Sequence, residues 1–259
     1  MSVPIVITGA STGIGAAIRD RLQGQAHVLV NLDVATPQAD PHDFVACDLN
    51  EPERIEQAID HLPTQLAGLI CVAGVGPSVQ APERVMRINF LGTRHLVERL
   101  MPRIQPGGAV TLVASSAGRD WRDNRAMVDA VLATADFDAG LQWLQEQRPR
   151  WADDAYKFSK QCLAAYTYLA AGHALARGLR VNCINPGITQ TRLSDDFRDM
   201  LGHDAYDRIT RLTGRAGRPQ DIAGVAEFLT VGDSQWINGV EITVDGGYFA
   251  GVVAGWHPE

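Results

Sequence analysis

The chain has almost no lysine: two among 259 residues, Lys157 and Lys160, against 21 arginines. Where a plain surface cation suffices this sequence uses arginine, so the two lysines call for a specific explanation. A block of one charge is also missing. The formal net charge of −7, from 23 basic and 30 acidic residues, is spread along the chain and speaks against a nucleic-acid surface or a polybasic membrane anchor. Cysteine is sparse. Cys47, Cys71, Cys162 and Cys183 form no CxxC pair, so no metal site is expected and a reduced cytoplasm fits best. No stretch of about 18 apolar residues exists to span a bilayer, and the N-terminus lacks the basic region and apolar run of a signal peptide. A soluble cytoplasmic protein is expected.

What is present is a rhythm. Short Val- and Ile-rich runs at 3–8, 27–32, 66–73, 109–115, 179–184 and 240–244, with a further piece at 43–46, alternate with helical patterns at 15–22, 52–61, 82–104, 153–177 and 219–229. Such alternation predicts an α/β fold, a doubly wound parallel sheet covered on both faces, in one domain spanning 1–259. Two stretches break it. Residues 119–152 separate a strand from the next long helix, and 189–214 separate the following strand from the helix after it. Within the first, 123–134 and 136–147 carry apolar residues at helical spacing, among them Met127, Val128, Val131, Phe137, Leu141 and Leu144, which predicts a helical insertion.

The first strand runs into Thr8-Gly9-Ala10-Ser11-Thr12-Gly13-Ile14-Gly15 and a helix follows at once. Glycines there let the backbone turn sharply and approach a pyrophosphate, whose charge meets the free N–H groups of the helix. An empty tight turn is the plain alternative. Asp33, about twenty residues beyond the glycines, is placed to accept both hydroxyls of an adenine ribose and to repel a 2′-phosphate, so NAD is favoured over NADP. A solvated strand-end carboxylate would look the same in sequence. Asp48-Leu49 could hold the adenine edge, although an Asp before a Pro-started helix could equally belong to a cap.

Tyr156-Lys157-Phe158-Ser159-Lys160 sets a phenol and an ammonium four residues apart on one helix face. With five tyrosines and two lysines in the chain, this spacing has a chance expectation of roughly 0.04. A nearby cation lowers a phenol's pKa, so Tyr156 is expected to exchange a proton with an alcohol or carbonyl. Ser115-Ser116 close the fifth strand, where a hydroxyl could steady the reacting oxygen. Asn89 lies within an apolar helical run, an awkward place for an amide unless it is hydrogen-bonded; a buried amide satisfying backbone groups is the plain alternative to a functional one.

Together these residues resemble the short-chain dehydrogenases/reductases of about 250 residues over nearly the whole chain. TGASTGIG is similar to that family's TGxxxGxG loop, which implicates Gly9, Ser11, Gly13, Ile14 and Gly15 in cofactor binding. Ala73 and Gly74 stand where the family reads NNAG, here Cys71-Val72-Ala73-Gly74, so the asparagine contacts that stiffen the sheet there are absent. Pro186, Gly187, Thr189 and Thr191 resemble the segment holding the nicotinamide carboxamide, and residues 214–219 and 244–247 match C-terminal hallmarks. The resemblance implies about seven strands, Tyr156 as acid/base, Ser116 orienting the substrate oxygen, Lys160 binding the nicotinamide ribose, and Asn89 holding a water that links Lys160 to solvent. Forty positions separate Ser116 from Tyr156, against roughly a dozen residues in most of the family, an insertion similar to that of bacterial 3α-hydroxysteroid dehydrogenase/carbonyl reductases.

The expected activity is hydride transfer between NAD and a secondary alcohol or ketone, with a hydrophobic cyclic substrate (steroid, terpenoid or aromatic). Trp121, Trp143 and Trp151 either line that pocket or pack the insertion. Residues 189–214 are expected to form a substrate lid. Two other functions compete: a β-ketoacyl carrier-protein reductase, disfavoured by Asp33 and the acidic charge, and a non-catalytic NAD-binding sensor, disfavoured by the intact Asn89, Ser116, Tyr156 and Lys160 set. In the resembling family the helix beginning near Asp153 packs across a tetramer interface, so bulk added by 119–152 suggests a homodimer.

Overall fold

The computed structural model describes residues 3–25, 27–36 and 43–256; the remainder of the expected 1–259 domain lies outside them. Seven strands, β1 (Ile5–Thr8), β2 (Leu29–Asp33), β3 (Phe44–Ala46), β4 (Leu66–Cys71), β5 (Ile104–Val113), β6 (Arg180–Pro186) and β7 (Glu241–Val244), form one sheet in the order β3-β2-β1-β4-β5-β6-β7. Every pairing is parallel. Strand order reverses between β1 and β4, and at such a reversal the connections diverge to opposite faces and open a crevice at the carboxyl ends.

The period-2 alternation of buried strands explains the two layers. Ile5 and Ile7 on β1, Ile70 on β4 and Ile184 on β6 face α1 (Gly13–Gln23) and α10 (Pro219–Thr230), which pack on each other. Val6, Leu69, Cys71 and Cys183 point the other way into a larger cluster built on α2 (Pro52–Asp60), α4 (Thr93–Leu100) and α7 (Ala155–Leu175). All residues of α7 from Phe158 to Thr167 are buried, which accounts for its nearly continuous apolar character.

The helix expected over 82–104 is not continuous. It begins as α3 (Pro82–Met86), widens into a π-helical turn (Arg87–Gly92) and resumes as α4. Gly92 lets this turn lie directly against the chain at Leu49, since a Cβ there would stand 2.1 Å from the Leu49 carbonyl oxygen. Pro102 then ends the helical run in a short 3-10 turn, and β5 starts earlier than its Val-rich part indicates.

The insertion is helical, as α5 (Arg125–Leu132) and α6 (Phe137–Glu146) flanked by 3-10 turns. Asp136 caps α6 by accepting the Ala139 N–H at 2.9 Å. Its apolar side chains join the larger core cluster, and the buried Arg94 of α4 donates to the carbonyl and hydroxyl oxygens of Thr134. Residues 189–214 carry two helices that the sequence rhythm did not reveal, α8 (Ser194–Leu201) and α9 (His203–Leu212), and a further short helix, α11 (Tyr248–Ala254), follows β7.

Candidate active site

The carboxyl ends of the sheet and the segments that follow them border one cleft of about 370 Å³, within the range of about 300–1,000 Å³ usual for small-molecule sites. Its nucleotide half is built by close backbone approach. Gly9 has a φ of +72° and a Cβ there would meet the Ala73 Cα at 2.8 Å; at Gly15 it would meet the Gly9 carbonyl oxygen at 2.1 Å. Only glycine fits either position. The turn delivers the first N–H groups of α1 with no side-chain cap at Thr12, so donors and the helix's positive end face the cleft. At the end of β2, Asp33 accepts the N–H groups of Ser11 and Ala35, each at 3.1 Å, and each carboxylate oxygen keeps another lone pair for a diol. Asp48 accepts the Asn50 N–H at 2.9 Å in a turn and also lines the cleft beside Leu49.

The chemical half stands on β5 and α7. Tyr156 and Lys160, one helical turn apart, are both buried and both line the cleft. Lys160 Nζ lies 5.7 Å from the Tyr156 ring centre and 3.4 Å from the Val113 carbonyl oxygen. Burial draws the ammonium down to about 8. The Tyr156 phenol goes the other way: burial pushes it up to about 12, opposed by a hydrogen bond from the Ser115 side chain. The expected net lowering of the phenol does not appear, because desolvation outweighs the Ser115 hydrogen bond.

Asn89 sits behind Gly74 rather than on the cleft surface. Its amide oxygen accepts the Val75 N–H at 2.8 Å, and its amide nitrogen donates to the Val75 carbonyl and the Ser159 hydroxyl. The π-helical turn carries the amide to the strand end, where it fixes the loop that passes Lys160 Nζ.

Of the expected cofactor residues, Gly9, Gly13, Ile14, Gly15, Asp33, Asp48, Leu49, Ala73, Gly74, Tyr156, Lys160, Pro186, Gly187, Thr189 and Thr191 all border the cleft. Ser11 does not. Its hydroxyl donates to the Ala35 carbonyl at 2.7 Å and accepts from Asn31, so it braces the glycine loop. Both members of the serine pair border the cleft, and it is the Ser115 side chain that draws the Tyr156 phenol down against burial. Ser115 also accepts the Ala117 N–H at 3.2 Å, which holds its hydroxyl at the head of the turn leaving β5, while Ser116 already belongs to that turn.

Of the two roles open to the tryptophans, lining the pocket is not the one adopted, since no residue of 119–152 is among those bordering the cleft. Trp121 donates to Glu241, Trp151 donates to the Leu144 carbonyl, and Trp143 and Trp151 each stack near Phe158. They pack the insertion. The apolar wall comes instead from Leu193, Phe197, Met200, Leu201 and Ile209 of the 189–214 stretch and from Tyr248 and Phe249 of α11. Phe197 meets the Tyr156 ring edge-on at 5.4 Å. Two bracing residues complete the site: Thr8, the first residue of TGASTGIG, and Asn31, which lies in no motif. Thr8 Oγ1 accepts the N–H groups of both Val72 and Ala73 at 3.0 Å, and Asn31 holds the Ala10 N–H; between them they tie β1, β2 and β4 where asparagine contacts are missing.

Fold, glycine turn and Ser–Tyr–Lys cluster together define a dinucleotide-fold protein with a polar cluster in the cleft at its switch point, and the chain belongs to the short-chain dehydrogenase/reductase family. It is 34% identical to the coniferyl-alcohol dehydrogenase of Pseudomonas sp. strain HR199, over 94% of this chain and 95% of that one. It is 26% identical to the 3-alpha-hydroxysteroid dehydrogenase/carbonyl reductase of Comamonas testosteroni, over 94% and 95%. Two family models match in part: NAD dependent epimerase/dehydratase over residues 5–119, and enoyl-(acyl carrier protein) reductase over 141–249. Among solved structures, the 3-alpha-hydroxysteroid dehydrogenase from Pseudomonas sp. B-0831 complexed with NADH superposes with a TM-score of 0.78 at 27% identity, covering 98% of this chain and all of that one.

Proposed function

We propose that the chain is an NAD-dependent dehydrogenase/reductase that interconverts a hydrophobic, ring-bearing alcohol and its carbonyl compound. The observation that carries this reading is the Ser115–Tyr156–Lys160 cluster, which shares one cleft with a glycine turn ending at Asp33. The residues fit the dinucleotide. Gly9 and Gly15 let the turn fold tightly on Ala73 and on itself, which brings the free N–H groups at the head of α1 to where a pyrophosphate would lie, and both Asp33 oxygens can accept ribose hydroxyls while their charge repels a 2′-phosphate. Bound there, a nicotinamide supplies the hydride acceptor or donor.

The chain's own residues handle everything else. Tyr156 Oη takes the proton of the alcohol during oxidation or returns it to the carbonyl oxygen during reduction. Ser115 Oγ, whose acceptor side is engaged by the Ala117 N–H, can turn its O–H toward the same oxygen and oppose its charge. Lys160 Nζ, drawn to about 8 by burial, exchanges a proton in the working range and binds ribose hydroxyls. The 189–214 stretch acts as a lid whose apolar face, with Phe197 against Tyr156, excludes water from the reacting oxygen.

The apolar wall and the two relatives named above direct the substrate search first to cinnamyl-type aromatic alcohols and 3α-hydroxysteroids, with terpenoid alcohols next. Absorbance of NADH formed with such a panel tests the reading. Tight NADH binding with no turnover of any alcohol, or efficient turnover only with carrier-protein thioesters, would replace it with a sensor or a carrier-protein reductase. A homodimer is part of the proposal, because the insertion packs on α7, with Trp143 and Trp151 stacked near Phe158 and Asn124 donating to Gln161, and so adds bulk beside the helix that would otherwise carry a tetramer contact. Light scattering coupled to size exclusion should give the mass of two chains; the mass of four refutes the blocking role.

A further inference from the structure

The insertion borders no part of the cleft, yet its first residue touches the cleft wall from behind. Arg119 lays its guanidinium over the Phe249 ring, with Cζ 3.7 Å from the ring centre, and Phe249 lines the cleft from α11. No carboxylate among the described residues pairs with Arg119. Its planar face, more than its charge, is what the contact uses.

Arg119 stands on a rigid base. The residue before it, Gly118, is pressed against the catalytic helix, where a Cβ would stand 2.4 Å from the Lys160 carbonyl oxygen. The residue after it, Asp120, forms an ion pair with Lys157 at 2.7 Å and accepts from Gln161 at 2.8 Å. Lys157, the other of the chain's two lysines, thus ties this base to α7. Helix α11, by contrast, is short and little buried. It follows Gly246 and Gly247, with φ of +67° and +85°, is capped by the Asp245 carboxylate through the N–H groups of Gly247 and Phe249, and buries only Gly251. A seven-residue helix on a glycine pair needs external contacts to stay in one place.

We infer that Arg119 is a positioning residue that clamps α11, so that the insertion sets the fit of bulky substrates through Phe249 without touching them. This rests on the proposed dehydrogenase reading, and one part of its test does not. Hydrogen exchange of the amides of residues 248–254 measures the clamp directly. Arg119→Ala should speed their exchange by about three- to tenfold, the range a cation–π contact of this kind supports, and Arg119→Lys should recover part of the protection. In turnover, Arg119→Ala should lower the kcat/KM ratio of bulky ring alcohols to small alcohols by a similar factor, mostly through KM, with NADH affinity measured by fluorescence unchanged. In a Phe249→Leu background the same substitution should add almost nothing. Exchange of 248–254 unaltered by Arg119→Ala overturns the clamp. A wild-type protein that turns over no alcohol overturns the functional reading while leaving the exchange result to decide the clamp.

Discussion

Ser115→Ala and Ser116→Ala form a matched pair that separates two neighbouring hydroxyls by chemistry. Ser115 has its acceptor side fixed by the Ala117 N–H at 3.2 Å and its hydroxyl bonded to Tyr156; it is the one group that draws the phenol down against burial. Removing a positioned donor from a developing oxyanion costs about a hundred- to thousandfold in kcat. Ser115→Ala should fall in that range, and Ser116→Ala should stay within about threefold of wild type, the scale of a lost surface hydrogen bond. The pH profile adds an independent reading. Oxidation requires ionised Tyr156, whose phenol is pushed up to about 12 in the free chain, so kcat/KM for alcohol should rise with pH over the accessible alkaline range. Without Ser115 the phenol lies higher still and the rising limb moves to higher pH. NADH formation at several pH values is the assay, with melting temperature as a control, since loss of the cap at the turn costs about 1 kcal/mol. A crippled Ser116→Ala beside an active Ser115→Ala would refute the assignment and return the role to Ser116.

Three further outcomes are expected. Tyr156→Phe should bind NADH normally and lose most turnover, and Lys160→Arg should be severely impaired despite keeping its charge, because Gly74 and Asn89 confine the ammonium; near wild-type kcat for Lys160→Arg would defeat that argument. Asp33→Ala should narrow the preference for NAD over NADP, measured as the ratio of kcat/KM values, and an unchanged ratio counts against the ribose contact. Trp151→Ala should destabilise the fold by about 3–5 kcal/mol through lost packing, read from denaturant unfolding, while substrate preference stays as it was; an altered preference would restore the tryptophan to the pocket.

The sheet was legible in the sequence because its strands are buried on both faces and read as Val- and Ile-rich runs. Helices α8, α9 and α11 were not, since they lie over the cleft and expose much of their surface, and α8 and α9 contain no buried residue. The π-helical turn escaped notice because one extra residue per turn leaves no mark on an apolar stretch such as Ile88–Leu91. At the site, Tyr156 and Lys160 were visible through the rarity of lysine. Ser115 and Ser116 could not be told apart by residue type, only by which hydroxyl the turn after β5 directs at the phenol. Ser11, read from the motif as a ligand contact, has its hydroxyl engaged by Asn31 and the Ala35 carbonyl, partners that lie far from it in the sequence and so leave no local signal.

The side chains of the insertion, Phe137, Leu144 and Trp151 among them, belong to the same apolar mass as Phe90, Val110 and Tyr166 in the body of the protein. The extra segment is therefore no detachable module. Cutting it back to the length of its shorter relatives would strip cover from α4 and α7 and leave a hydrophobic scar, so a trimmed enzyme should precipitate rather than gain speed. For the same reason insertion and sheet should melt together in a single calorimetric transition, and mutations that loosen either one should register as a loss in both.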